Sequence, residues 1–303
     1  MKKCLIIIIT FISISSGRAC EICGCSNGNF QIGLLPNFNK GFLGLRYSYA
    51  RFNSQLKSDP TQFSHDYYHT AELWGGFTFK KFQVMAFAPY VFAHKVSDDG
   101  IVNSQGLGDI TVLLNYRVFH STALSKNEKS TVMHDIFIGG GMKLPTGQHH
   151  VNTSDPNFNI GDFNSQAGTG SLDYMINATY SVMWNNSGIV TNLAARLNTP
   201  NSQGYRFGNR TYASTAYYYT ISTSGYKIKP NAGVSFQSNG VNHYLGDAVA
   251  QSNGYNLNAT LGVNVLQKKV GVSLMSFLPV AQNYFDGQTK LSTRLMAGLT
   301  YSF

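Results

Sequence analysis

The sequence predicts an all-β fold: a transmembrane, antiparallel, up-and-down β-barrel of about twelve strands with periplasmic termini. Three observations predict it. Charge is scarce, apolar and polar residues alternate in segment after segment, and the connections between segments alternate between long and short.

Charged residues are 12% of the 303 positions, about half the usual share of a soluble domain. Gly (30), Tyr (18) and Phe (20) are abundant instead. A soluble helical protein needs many more charges and an apolar period of 3.6 residues, and neither is present. Beyond the first residues, no apolar run approaches the ~20 residues of a membrane helix.

The chain opens with MKKCLIIIITFISISSGRA. A basic start, a short apolar run from Leu5 to Ile14 and a small-x-small end describe a signal peptide over 1–19. Without Lys2, Lys3 and Arg18, the 23 basic residues fall to 20 against 14 acidic, a net charge of +6 rather than +9. A mildly basic exported chain makes nucleic acid a poor candidate partner.

Residues 20–40 are expected to form a periplasmic segment that opens with CEICGC, in which Cys20, Cys23 and Cys25 stand in C-x-x-C-x-C spacing. With Cys4 removed, three thiols remain, an odd number. Three outcomes stay open: a lipid on Cys20, a disulfide with one thiol spare, or a Cu or Zn ion held by soft donors. An oxidising compartment disfavours a free dithiol.

The barrel is expected over 41–303. In GFLGLRYSYARF, Leu43, Leu45, Tyr47 and Tyr49 share one face and Gly44, Arg46 and Ser48 the other. In TAELWGGFTFK, Leu73, Phe77 and Phe79 oppose Glu72, Trp74 and Thr78. GDITVLLNYRVF, SLDYMINATYSVMW and LSTRLMAGLTYSF alternate in the same way. That is the period of a half-buried strand.

Twelve such segments lie at 41–52, 67–80, 82–94, 108–119, 132–144, 171–184, 188–199, 211–222, 226–237, 254–266, 270–280 and 291–303. Most are 10 to 14 residues, close to the ~9–11 that a tilted strand needs to cross a bilayer. Connections after the odd-numbered strands run from about 10 to 26 residues, and those after strands 2, 6, 8 and 10 are one to three. HSTALSKNEKST, after the fourth strand, breaks the alternation. Closure follows because hydrocarbon offers no partner to an unpaired sheet edge. Pro89, Pro230 and Pro279 fall inside strand runs, where each removes a ladder hydrogen bond, so bulges or strand ends are expected there.

With the apolar face toward lipid, the other face lines the lumen. The selectivity candidates on it are Arg46, Glu72, Asp109, Arg117, Asp135, Lys143, Asp173, Arg196 and Arg294; Lys227 and Lys229 are further charges on the same face, and Lys80 is placed at the rim. Two readings stay open for a lumen of both signs: cross-strand ion pairs that fill the barrel, or rings of charge that select ions. Twelve strands lie between the filled eight-stranded barrel and the open porins of 16 to 18, so a small or gated passage is expected.

Several stretches together resemble a known family, the outer-membrane channel proteins named for the MetA pathway of phenol degradation, in the broad version found in Bacteroidetes-type bacteria. They are ACEICGC, IGLLPNFNKGFLGLRYSYARF, GLGDITVLLNYRVF at 106–119, GGGMKLPTG at 139–147, GTGSLDY at 168–174 and the closing YSF. The resemblance implies an outer-membrane barrel that passes small compounds, with no catalytic or binding residues to carry over and no licence to name phenol as the solute.

An outer-membrane lipid hydrolase needs a His and a Ser in hydrogen-bond reach, with a third group orienting the imidazole. His94 and His134 lie on outward faces without a Ser two positions away on the same face. No enzymatic activity is expected. His149-His150, in the long loop after the fifth strand, is a candidate Cu or Zn pair. The expectation is a passive or gated channel for a small solute in the outer membrane. The alternative is a barrel that anchors the cysteine segment, and the oligomeric state is left open.

Overall fold

The computed structural model describes residues 41–303 apart from 99, 125–130 and 157. The cysteine segment and the signal sequence lie outside the described residues. Among the described residues seventeen strands are formed. In chain order they are β1 (Gly41–Gln55), β2 (Phe63–Phe79), β3 (Phe82–Ser97), β4 (Gly100–Leu107), β5 (Thr111–Leu124) and β6 (Thr131–Lys143). They continue with β7 (Asp173–Trp184), β8 (Ser187–Leu197), β9 (Tyr205–Arg206), β10 (Arg210–Tyr219), β11 (Ile221–Thr223) and β12 (Tyr226–Asn239). The last are β13 (His243–Tyr244), β14 (Asp247–Ala248), β15 (Gly254–Gln267), β16 (Val270–Tyr284) and β17 (Thr289–Ser302).

Twelve of them close an antiparallel barrel in the order β1, β2, β3, β5, β6, β7, β8, β10, β12, β15, β16, β17, and β17 pairs back onto β1. All twelve segments read from the alternation are present, shifted at their ends by a few residues. β4 and β5 are one strand in two pieces, because both run antiparallel to β3, Leu107 opposite Tyr90 and Thr111 opposite Phe87. The interruption falls beside Pro89, whose carbonyl accepts from Gly108 N (2.9 Å).

The other two prolines also sit where pairing lapses. Pro230 faces the gap between β10 and β11. Pro279 adjoins the β15–β16 bulge and the lapse in β16–β17 pairing after Phe277.

One expectation is corrected. Connections after the third and eleventh strands are not long, because β3, β4 and β16 continue past their apolar stretches: β3 ends at Ser97 and β4 starts at Gly100, and β16 and β17 are joined across 285–288. Half of HSTALSKNEKST is strand as well, since β5 reaches Leu124 and β6 starts at Thr131.

One end of the barrel therefore carries tight turns at 80–81, 185–186, 224–225 and 268–269. Lys80, Asn185 and Lys268 take left-handed φ there, as two-residue hairpins of matching twist demand. The lysines lay their ammonium groups over girdle aromatics, Lys81 over Tyr116 and Lys269 over Tyr301, each at 5.9 Å, so their stems cover apolar surface while the charges reach water.

The opposite end carries the long segments 144–172, 198–209 and 240–253. These fold on one another as a cap. β9, β13 and β14 form a small sheet, and Val151, Phe163, Tyr205 and Phe207 make its core. Phe163 stacks on Tyr205 at 4.3 Å, and the Tyr205 hydroxyl accepts from Asn242 Nδ2 at 2.8 Å.

Outward side chains are apolar on strand after strand: Leu45, Leu73, Leu114, Ile138, Ile176, Leu193, Leu261, Leu274 and Leu299 are all about half exposed or more. Such a band around a closed sheet is a surface for hydrocarbon, not for water. The inward side chains are Arg, Glu, Asn, Ser and Thr with a few aromatics, and most are buried.

Candidate functional site in the barrel lumen

Three constructions line the lumen. The first is an aromatic wall. Phe42, Trp74, Met85, Phe87, Leu113 and Met175 pack together on inward positions. Phe42 meets Trp74 edge-on at 4.7 Å, and Trp74 stacks with Phe87 at 6.1 Å. The Arg46 guanidinium lies 5.1 Å from the Trp74 ring centroid and 5.7 Å from that of Phe87, and it forms an ion pair with Glu72. Arg46 and Glu72 are direct cross-strand partners, and both are buried, 3% and 2% exposed. A charge placed there needs its counter-ion, because desolvating either one alone costs several kcal/mol, a price that only the partner offsets.

The second is a belt of amides and hydroxyls. Asn115 Nδ2 donates to Gln83 Oε1 (3.1 Å), and Asn177 Nδ2 donates to Asn115 Oδ1 (2.8 Å). Asn115 and Asn177 sit on either side of Gly139 in register. They meet only because β6 has no side chain at that point, where a Cβ would come within 2.8 Å of Asn115 Cα. Around the wall, Thr179 Oγ1 donates to Asn192 Oδ1 (3.0 Å), Asn192 Nδ2 to Ser214 Oγ (3.4 Å) and Asn258 Nδ2 to Ser235 Oγ (3.3 Å). The belt thus runs from β3 to β15, and it pairs most of the amide and hydroxyl groups it buries, since a buried donor or acceptor without a partner is costly; the Asn177 Oδ1 is an exception.

The third is a knot at the capped end. Lys143 Nζ lies 2.7 Å from Asp109 Oδ2 and 2.9 Å from Asp173 Oδ2, and it also donates to Thr169 Oγ1. Asp109 accepts from Gly147 N (2.9 Å), Thr169 N (2.9 Å) and Thr169 Oγ1 (2.6 Å). Asp173 accepts from Ser171 Oγ and Thr199 N, each at 3.0 Å. The two carboxylates share one ammonium and fasten the 144–172 segment to the barrel wall.

The sequence-derived candidates therefore divide. Arg46 with Glu72 stands against the aromatic wall, and Asp109, Lys143 and Asp173 form the loop knot. Arg117 and Asp135 lie near the tight-turn end, 3.8 Å apart, with His120 Nδ1 2.7 Å from the same carboxylate. Arg196 is buried opposite Arg210, with Met175 on its other side. Arg294 is inward and stacks over Phe277 at 5.2 Å. Arg210 was not foreseen, because it lies just outside the expected strand 211–222. The amide belt was missed too; its signal, Asn at alternate positions as in 256–258, is legible only once charge is set aside as the criterion.

Among the described histidines, His94 Nδ1 pairs with Asn103 Oδ1 (2.6 Å) and His134 Nδ1 with the Tyr180 hydroxyl (3.0 Å). The Nε2 of His149 lies 2.9 Å from Gln203 Oε1 and 3.1 Å from Asn201 Nδ2, and its ring stacks on Phe163. His150 is exposed. Among the described residues, no group of three or more His, Cys, Asp or Glu side chains gathers in a way that could hold a metal ion.

Fold and lumen define a class, the outer-membrane β-barrels. The chain is similar to the crystal structure of the COG4313 outer membrane channel from Pseudomonas putida F1, with a TM-score of 0.56 and 14% identity over 89% of this chain and 97% of that one. A weaker likeness, TM-score 0.48 at 11% identity, is to the beta domain of the Bordetella autotransporter BrkA, over 88% of this chain and 100% of that one. No protein-family model matches the sequence, and no curated protein is similar to it.

Proposed function

We propose that this chain is an outer-membrane channel that passes a small solute without chemical conversion. The observation that carries the reading is the inversion of the barrel, apolar outside on every strand and polar and charged inside. A barrel that served only as an anchor has no need of an amide belt and arginines along its axis. The likeness to the COG4313 channel agrees with this reading.

In the orientation usual for the class, tight turns and chain ends face the periplasm and the long loops face outward. The capped end is then external, and the cysteine segment is periplasmic. The passage is narrow, because inward Met85, Phe277 and Asn256 are almost wholly buried. Solute entry therefore requires movement of side chains or of the cap. Arg294 and Arg117 are the charges placed to bias the passing ion.

Purified protein in planar bilayers is expected to give small discrete conductance steps, and Arg294→Gln and Arg117→Gln to lower anion preference in the reversal potential. Correctly folded, heat-modifiable protein with no openings at any voltage sinks the channel reading. An unchanged reversal potential sinks the role of these two arginines. Liposome swelling with solutes of graded size sets the size limit.

A further inference from the structure

A cleft of about 600 Å³ opens between the β1–β2 loop and the β16–β17 loop, at the long-loop end of the wall formed by β17, β1 and β2. Lys57, Lys290 and His65 line it together with Asn53 and Gln55, and no carboxylate does. Its location follows from register. Leu43, Leu45, Tyr47 and Tyr49 point outward along β1, and the same face continues with Arg51, Asn53 and Gln55. Asn53 pairs with His65 on β2 and with Lys290 on β17. The eight residue-to-residue steps from Leu43 to Arg51 rise ~20 Å on a strand tilted as usual, close to the ~25 Å height of an apolar band. The basic group thus stands directly above the hydrocarbon belt, over Tyr49 and Tyr67.

The polar groups there are held in place. Arg51 Nε donates to Asn53 Oδ1 (3.3 Å), and His65 Nδ1 lies 2.9 Å from the same oxygen. Asn53 Nδ2 donates to Ser292 Oγ (2.7 Å), and the Arg51 guanidinium lies over Tyr67 at 5.4 Å. Lys57 Nζ rests on the Asp286 carbonyl oxygen at 2.5 Å. The nearby Asp59 carboxylate is turned to Thr61 and Gln62. Among the described residues, Arg51, Lys57 and Lys290 have no carboxylate in ion-pair reach. Three cations without counter-ions at the water edge of an apolar belt match an anionic headgroup whose acyl chains run down the wall.

We propose that this cleft seats a phosphate group of a phosphorylated glycolipid of the outer leaflet, with Lys57 and Lys290, which line it, and Arg51, held at its edge by Asn53, as the cationic partners. The placement in that leaflet rests on the orientation argued above. A lipid is favoured over a free anion because the group faces outward, above Leu45, Tyr49 and Leu295, and not into the lumen.

The test uses the full-length protein folded in detergent micelles, titrated with a diphosphorylated lipid A and with the same lipid stripped of phosphate. The phosphorylated form is expected to bind at least about tenfold more tightly, the sum of three exposed charge contacts. Arg51→Gln/Lys57→Gln/Lys290→Gln is expected to lose that preference while remaining heat-modifiable. Should the triple variant not fold, the loop substitution Lys57→Gln alone is expected to weaken binding severalfold.

Equal affinity for both lipids, or a folded variant that keeps the preference, overturns the proposal. Displacement of the lipid by millimolar inorganic phosphate marks a free-anion site and overturns it as well. The channel reading is judged separately, because conductance of the triple variant is expected to equal that of the parent. A silent parent protein would sink the channel while leaving the lipid result intact.

Discussion

Removing the charge of Glu72 is expected to be among the costliest single substitutions in the barrel. Glu72→Gln keeps the shape of the side chain, but leaves the Arg46 guanidinium buried at 3% exposure without its carboxylate. Stacking on Trp74 and Phe87 remains, yet a cation–π contact supplies only ~1–2 kcal/mol. Breaking a buried pair by removing one partner costs ~3–5 kcal/mol, and the residual stacking places the expectation near the lower end, about 3 kcal/mol.

The second arm is Arg46→Met with Glu72→Gln. Replacing a whole buried pair by groups of similar volume is close to neutral, so the double variant is expected to recover most of the loss, with a coupling energy of about 2 kcal/mol. The assay is urea unfolding of protein folded in lipid vesicles. Trp74 and Trp184 are the two tryptophans of the chain, so a Trp184→Phe background makes Trp74, in contact with Arg46, the sole fluorescent reporter. A cost below about 1 kcal/mol for Glu72→Gln, or a double variant no more stable than the single, refutes the idea that the pair is a desolvated unit.

Three other outcomes follow from the geometry. Trp74→Ala removes the indole from the aromatic wall, which is expected to cost ~3 kcal/mol or more by large-to-small truncation and to raise single-channel conductance; an unchanged conductance places the constriction elsewhere. Lys143→Met leaves the Asp109 and Asp173 carboxylates facing each other without their shared ammonium, so the 144–172 segment is expected to detach, seen as new protease cleavage there while the barrel stays heat-modifiable. Asp59, in the β1–β2 loop, is held below the ordinary carboxylate range chiefly by the Thr61 hydroxyl and then by the Thr61 amide. Its contribution to loop order is therefore present above the ordinary carboxylate pKa and lost as pH falls through the lowered value; carboxyl-carbon NMR is expected to show it titrating below ordinary aspartates, and Thr61→Ala to raise it.

Strand number and sidedness were legible in the sequence because alternation is a local property. Leu43, Leu45 and Leu73 mark the outside and Arg46, Glu72 and Trp74 the inside wherever the chain is extended, since successive side chains must point to opposite faces. Strand ends were less legible, because beyond the hydrocarbon belt the outward face no longer needs to be apolar. That is why β4, the far part of β5 and the far part of β16 read as loop. Prolines announced irregularity but not its form; only pairing shows that Pro89, Pro230 and Pro279 each sit where one neighbour lapses.

The lumen divides in the same way. That Arg46 and Glu72 face inward follows from their positions in the alternation, as it does for Asp109, Lys143 and Asp173. Which charges serve the passage and which fasten the structure depends on register between strands far apart in sequence. Register puts Arg46 across from Glu72, lets Gly139 open the way between Asn115 and Asn177, and draws Asp109, Lys143 and Asp173 to one point under the 144–172 segment. The sequence by itself determined a closed barrel with an apolar outside and a polar inside, because hydrocarbon forces both closure and alternation. Only the tertiary structure decided the partners within it, because contacts across a barrel are set by the shear of twelve paired strands and not by the order of residues in any one of them.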